Sequence, residues 1–296
     1  MPLPDFLIIG AGRSGTTTLY EILRRHPQIF MPDVKEPNYF AFADGALPAG
    51  PGAAWLRATS VTTRAGYEAL FADAGGARAR GEASPRYMVG ADAAARIHAA
   101  IPAVKLIAIL RHPVERAYAS YLAYRRDGLE PAATFEAALA DQERRRQAGW
   151  PYGAFVDFGF QHRQLARYDA LFPARQLRIY LYDDLLRDAA GLVRDLLAFL
   201  EVDPSWQPDF AQRHGRTGVV RNPLLAALWR HSPRARSTLG PWLPQAWRDR
   251  AYAWLMRDLV KPDMNPETRA ALLRLYRADT LALQERLGRD LSAWLR

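Results

Sequence analysis

The chain has 296 residues, 49% of them hydrophobic, no cysteine and a formal net charge of +9 at pH 7. That size supports a substantial core, and the missing cysteines exclude disulfides, thiolate metal sites and cysteine nucleophiles. Arginine carries almost all of the positive charge, with Lys35, Lys105 and Lys261 as the lysines, and the charges are scattered rather than clustered. Arginine suits phosphate, sulfate and carboxylate as a bidentate partner, genomic base composition would give the same bias, and no nucleic-acid-binding motif supports a nucleic-acid partner.

The first predicted strand is the apolar run Phe6–Ile9. Gly10, Gly12 and Gly15 break it, and apolar residues resume at helical spacing from Thr16 to Arg25. Strand, glycine turn and helix together aim free backbone N–H groups and the helix dipole at one spot, which suits an anion. Gly10 to Gly15 has the spacing of a nucleotide-binding loop, but Thr16 stands where a triphosphatase needs lysine, and the basic residue lies inside the loop as Arg13. After a return loop come Lys35 and Glu36, then a Gly/Pro/Ala-rich stretch from Gly45 to Gly52.

A second strand, Val104–Leu110, runs into Arg111, His112 and Pro113 and a helix from Val114 to about Arg126. The segment Asp127–Pro151 holds a polar helix flanked by loops, an excursion expected over the substrate face. A further strand, Leu177–Tyr182, precedes Asp183, Asp184 and a helix through Leu200. Alternation of this kind predicts an α/β fold: a parallel sheet flanked by helices on both faces, with ligands at the carboxyl ends of strands, where Arg13, Arg111 and Asp183 fall. No repeat or linker divides residues 1–296, so a single domain is expected. His26, His98, His162 and His214 lack ligand spacing, and no metal is assigned. Trp242, Trp247 and Trp254 with nearby arginines predict a helix packing its aromatic face on the domain, with membrane-surface contact as the alternative. Nothing resembles a leader or a membrane span, which makes the cytoplasm the expected location.

Assembled, these residues resemble the sulfotransferases that use 3′-phosphoadenosine 5′-phosphosulfate (PAPS), especially bacterial members and the domains of heparan sulfate biosynthesis. The family's first motif corresponds to Gly12, Arg13, Ser14, Gly15, Thr16 and Thr17, which the resemblance assigns to the 5′-phosphosulfate. LRHPVERAYASYLAYRR corresponds to the second motif, which holds the 3′-phosphate, and thus implicates Arg111. The family serine eight residues after that arginine falls at Ala119, leaving Ser120 beside it as the candidate. Lys35–Phe40 matches the K-E-P-x-x-F element whose glutamate is the base in heparan-type enzymes, so Glu36 is the implied base. GEASPRY adds Glu82 and Ser84, with Lys35, on the acceptor side, and has Ala83 where a lysine is often found. TGVVRNPLL, with Arg221, resembles the late loop over the nucleotide. The closing GRDLSAWL also fits, and the resemblance implies a P-loop-like fold, the product PAP, a saccharide acceptor and no metal.

Sulfuryl transfer needs in-line positioning and charge stabilisation more than covalent help. Arg13 cannot act as an acid at neutral pH, but it can hydrogen-bond a leaving phosphate, which is a weak base. Two rival readings stand beside this one. A nucleotide-dependent kinase or NTPase would use Asp183 or Asp184 for magnesium, and a non-catalytic glycan-binding protein of the same fold would accommodate Ala83 and Ala119.

Overall fold

The computed structural model describes residues 3–43, 45, 47–152, 154–208, 218–221 and 259–296. The strands Phe6–Gly10 (β1), Ile29–Phe30 (β2), Ala79–Ala83 (β3), Lys105–Leu110 (β4) and Leu177–Leu181 (β5) form one sheet in the order β2-β3-β1-β4-β5. Every neighbouring pair is parallel. Parallel strands covered on both faces read as continuous apolar runs, as β1 and β4 do. Phe6 and Ile8 pack with Leu19, Leu23 and Leu196 on one face, while Leu7 and Ile9 pack with Tyr87, Ile97 and Leu165 on the other.

Helices Thr16–Leu23 and Ala189–Phe199 cover the first face, and Ala93–Ala100 and Gln161–Asp169 cover the second. The connection after β1 leads to one side of the sheet and that after β4 to the other. The adjacent carboxyl ends of β1 and β4 therefore open a crevice of the kind that binds ligands in such sheets. A short antiparallel pair, Val219–Val220 (β6) and Leu259–Val260 (β7), lies beside helix Pro113–Asp127.

Two predicted elements differ in detail. The helix expected after β5 is two helices, Tyr182–Arg187 and Ala189–Phe199, because the Asp188 carboxylate accepts from Gly191 N at 2.8 Å and starts the second afresh. The excursion 127–151 holds Phe135–Ala140 and Gln142–Gln147 instead of one helix. It is fastened by a buried pair, Arg145 to Glu130 at 2.5 and 3.0 Å. β3 was not predicted. Its sequence, ARGEA, keeps Arg80 on Asp5 at 2.8 and 3.0 Å and places Gly81 under the Phe6 ring, where a Cβ would lie 2.2 Å away.

The helix Pro266–Leu287 begins at Asn265, whose side chain accepts from Glu267 N at 2.8 Å, and ends at Gly288 with φ 59°. Beyond it the chain docks behind β5. Arg289 pairs with Asp184 at 2.6 and 2.8 Å, and Trp294 Nε1 donates to Asp183 at 3.2 Å. Among the described residues no helix is long and apolar enough to cross a membrane. Trp242, Trp247, Trp254 and His214 lie outside the described residues.

Candidate active site

The glycine loop follows β1. Arg13 and Gly15 take left-handed backbone conformations, with φ 68° and 104°. At Gly15 a Cβ would crowd Leu185 at 3.0 Å and Tyr182 at 3.2 Å, so glycine is required for space as well as for φ. No side chain caps helix Thr16–Leu23, which leaves the N–H groups of its first turn and its positive dipole end to face the loop. Thr16 is buried and Thr17 half-buried at that turn. Ser14 is wholly buried, and its hydroxyl has no hydrogen-bond partner among the described residues. Burying an unpaired hydroxyl costs about 1–3 kcal/mol, a cost that an anion seated in the loop relieves.

Arg111 leaves the end of β4 toward the same loop. Its Nη1 donates to the Arg13 carbonyl at 3.0 Å, and its guanidinium lies 4.8 Å from the Tyr182 ring centre. Gln161 clamps the Arg111 backbone from both sides, accepting from its N–H at 3.2 Å and donating to its carbonyl at 2.7 Å. Burial lowers the Arg111 pKa, and its partners are a carbonyl and a ring rather than a carboxylate. Such a cation is ready for an anionic ligand.

Ser120 is buried on helix Pro113–Asp127. Its hydroxyl donates to the Arg116 carbonyl at 3.1 Å on its own helix and accepts from Arg116 Nη1 at 3.4 Å. Arg116 is itself buried and donates to the Phe155 carbonyl at 2.5 Å. Arg221 stands exposed at the end of β6, beside a groove it lines with Tyr118, Tyr121 and Arg125.

Across the crevice, Lys35 donates to Glu36 at 2.5 Å, and the Glu36 side chain remains 30% exposed. Glu36 N donates to the Ala83 carbonyl at 3.1 Å, pinning this turn to the end of β3. Glu36 and Asn38 both have positive φ, 62° and 53°. Left-handed non-glycine residues cost roughly 1 kcal/mol or more each and persist only where the surroundings fix them. Here Asn38 does the fixing: its Nδ2 donates to the Glu36 carbonyl at 2.6 Å and its backbone N–H to Ser84 Oγ at 3.0 Å. Ser84 in turn donates to Glu82 at 2.8 Å, and Tyr67 donates to the other Glu82 oxygen at 3.0 Å.

Glu82 and Ser84 are therefore interior links behind Glu36, both wholly buried. Burial pushes the Glu82 carboxyl up to about 7, against the hydrogen bonds from Ser84 and Tyr67. Glu36 moves the other way. Burial pushes its carboxyl up, but Lys35, with Arg86 and Arg13, outweighs that effect, and its pKa lies below the ordinary carboxylate value.

The wall joining the two halves escaped sequence reasoning. Arg13 lies over Tyr124 at 5.6 Å, Tyr124 packs on Tyr152 at 4.9 Å, and Arg86 lies over Tyr152 at 5.0 Å. Asp183 and Asp184, the carboxylates a magnesium-dependent reading requires, are engaged by Trp294 and Arg289. Among the described residues no cluster of histidine, aspartate and glutamate is gathered to hold a metal.

A solved sulfotransferase from Alicyclobacillus acidocaldarius superposes on the chain with a TM-score of 0.79 and 28% identity, covering 100% of both chains. Heparan sulfate glucosamine 3-O-sulfotransferase 3B1 of Homo sapiens is 30% identical over 201 residues, covering 67% of this chain and 46% of that protein. The bifunctional heparan sulfate N-deacetylase/N-sulfotransferase of Drosophila melanogaster is 26% identical over 217 residues, covering 68% of this chain and 20% of that protein. The chain thus spans less than half the length of these two relatives. A model of the sulfotransferase family matches residues 4–208, the stretch that holds the glycine loop, Glu36, Glu82 and Arg111, and the chain belongs to that family.

Proposed function

We propose that the protein transfers a sulfuryl group from PAPS to a hydroxyl or amine of a saccharide, with Glu36 as the base. The observation that carries this reading is the pairing of an anion-ready loop with an ionised carboxylate. Arg13, within the loop, shares the aromatic wall of Tyr124 and Tyr152 with Arg86, and both arginines act on the Glu36 carboxyl, which supports one site for loop and carboxylate. The buried unpaired hydroxyl of Ser14 and the uncapped helix start suit a phosphosulfate.

Gly12, Arg13, Ser14, Gly15, Thr16 and Thr17 would hold the 5′-phosphosulfate, and Arg111 the 3′-phosphate. When bound, PAPS supplies an activated sulfuryl group on a phosphate leaving group. Arg13 donates hydrogen bonds to the oxygens of that phosphate, so its role is charge stabilisation. Glu36 takes the proton from the acceptor hydroxyl or amine onto a carboxylate oxygen. Its lowered pKa keeps it ionised at neutral pH, and Lys35 occupies one carboxylate oxygen, Oε1, leaving the other to take the proton. The chain Asn38–Ser84–Glu82 keeps the Glu36 turn in place during this exchange. With arginines supplying the positive charge at the phosphates, the reading requires no divalent metal. The heparan sulfate sulfotransferases among the relatives and the cations around Glu36 support a saccharide acceptor.

Thermal unfolding with PAP, ATP or GTP, each with and without magnesium, together with transfer of labelled sulfate from PAPS to saccharides, tests the proposal. PAP without metal is expected to stabilise most, by about 2.7 kcal/mol at a hundred times its Kd. Stabilisation by ATP with magnesium and none by PAP would overturn it.

A further inference from the structure

The family resemblance puts a lysine where this chain has Ala83, and Ala83 is buried in the apolar cluster on the Thr16–Leu23 face of the sheet. That position offers an acceptor no charge. Three residues on, Arg86 opens the short helix Arg86–Val89. Its guanidinium sits near two rings, 5.9 Å from the centre of Phe42 and 5.0 Å from that of Tyr152, and its Nη2 donates to the Pro151 carbonyl at 3.0 Å. Arg86 is half-buried, and these partners are rings and a carbonyl rather than a carboxylate. Among the described residues, the cations that act most on Glu36 are Lys35, Arg86 and Arg13. Lys35 is engaged by Glu36 itself at 2.5 Å, and Arg13 belongs to the phosphate loop. Arg86 is the one left for the acceptor.

We propose that Arg86 selects the acceptor by binding an anionic group, a carboxylate or a sulfate, on the saccharide beside the atom that Glu36 deprotonates. The proposal rests on the sulfotransferase reading and extends it to the acceptor's chemistry. Stacking on rings and a carbonyl anchor already order the side chain, so little rotamer freedom is lost when it takes a ligand. The planar fork matches the paired oxygens of a carboxylate or sulfate, and partial burial strengthens the charge-assisted bonds. Phe42, half-buried beside it, offers the apolar face of a sugar ring a surface, while the buried Tyr152 braces the guanidinium.

The test measures, with PAP present, the calorimetric affinity of an oligosaccharide of alternating uronic acid and N-sulfated glucosamine, and of its carboxyl-reduced and desulfated forms. Arg86→Gln is expected to weaken the acidic oligosaccharide tenfold or more, with PAP affinity unchanged. Arg86→Lys, which keeps the charge and loses the fork, should weaken it less. The Arg86→Gln effect should vanish with the carboxyl-reduced probe if a carboxylate is the ligand, or with the desulfated probe if it is a sulfate. An effect that persists with both probes, an unchanged affinity, or an equal loss of PAP affinity overturns the proposal. A parent that binds PAP but not the acidic oligosaccharide overturns this inference alone, whereas a parent that binds no PAP overturns the sulfotransferase reading beneath it.

Discussion

Glu82→Gln isolates the energetic consequence of an acid enclosed behind the active site. The Glu82 carboxyl is fully buried, accepts hydrogen bonds from Tyr67 at 3.0 Å and Ser84 at 2.8 Å, and has its pKa pushed up to about 7 by burial. In an unfolded chain it would titrate near its ordinary value of about 4.3. Between those values the folded chain holds a proton that the unfolded chain has lost. Stability from this group is therefore complete below about 4.3 and falls as pH rises through about 7. At 1.36 kcal/mol per unit the full loss over about 2.7 units is about 4 kcal/mol, or roughly 6 °C in Tm for a chain of this size. Glutamine has similar shape and no proton to lose. Urea unfolding of parent and Glu82→Gln from pH 4.5 to 8.5 should show the stability gap moving toward the variant by that amount, and comparing the two chains cancels the titration of every other group. A gap that stays constant across the range would refute the reasoning.

Glu36→Gln should bind PAP as the parent does while turnover falls on the order of a hundredfold, and parental turnover would place the base elsewhere. Because the Glu36 pKa is lowered, kcat/KM should fall on acidification only below the ordinary carboxylate range; an acid limb above that range would contradict the assignment. Arg111→Ala should weaken PAP by about 1.5–3 kcal/mol more than adenosine 5′-phosphosulfate, since only PAP has the 3′-phosphate; equal weakening removes Arg111 from that role. Arg13→Lys should retain substantial turnover and Arg13→Ala little, with the same left-handed backbone cost in both. Ser120→Ala should leave PAP affinity unchanged, because its hydroxyl is bonded to the Arg116 carbonyl; a marked loss in titration calorimetry would restore it to the nucleotide site.

β1, β4 and the glycine loop were legible because their signals are local: continuous apolar runs, and glycines where the backbone must turn. β3 was not, since each of its polar residues has a tertiary explanation. Arg80 answers Asp5, Gly81 makes room for Phe6, and Glu82 is held by Tyr67 and Ser84. Arg111 could be placed at a strand end from sequence, but its clamp by Gln161, 50 residues later, could not. Counting positions along a helix located Ser120 without giving the direction of its hydroxyl. The arginine four residues earlier was the available signal, because i and i+4 share a helix face. Arg86 meets the Pro151 carbonyl across 65 residues, and no spacing rule spans that distance.

The attachment of the chain's last residues behind β5 sets an order in time. Arg289 reaches back 105 residues to Asp184, and Trp294 reaches back 111 to Asp183. During synthesis, roughly 5 to 20 s separate the emergence of these partners. In that interval the turn carrying Tyr182 and Leu185 lacks its fastening, although Gly15 packs on both residues and Arg111 stacks on Tyr182. The strands of the sheet can pair as they emerge, but the two contacts that fasten the turn beside the glycine loop form only once residues 289–294 have docked.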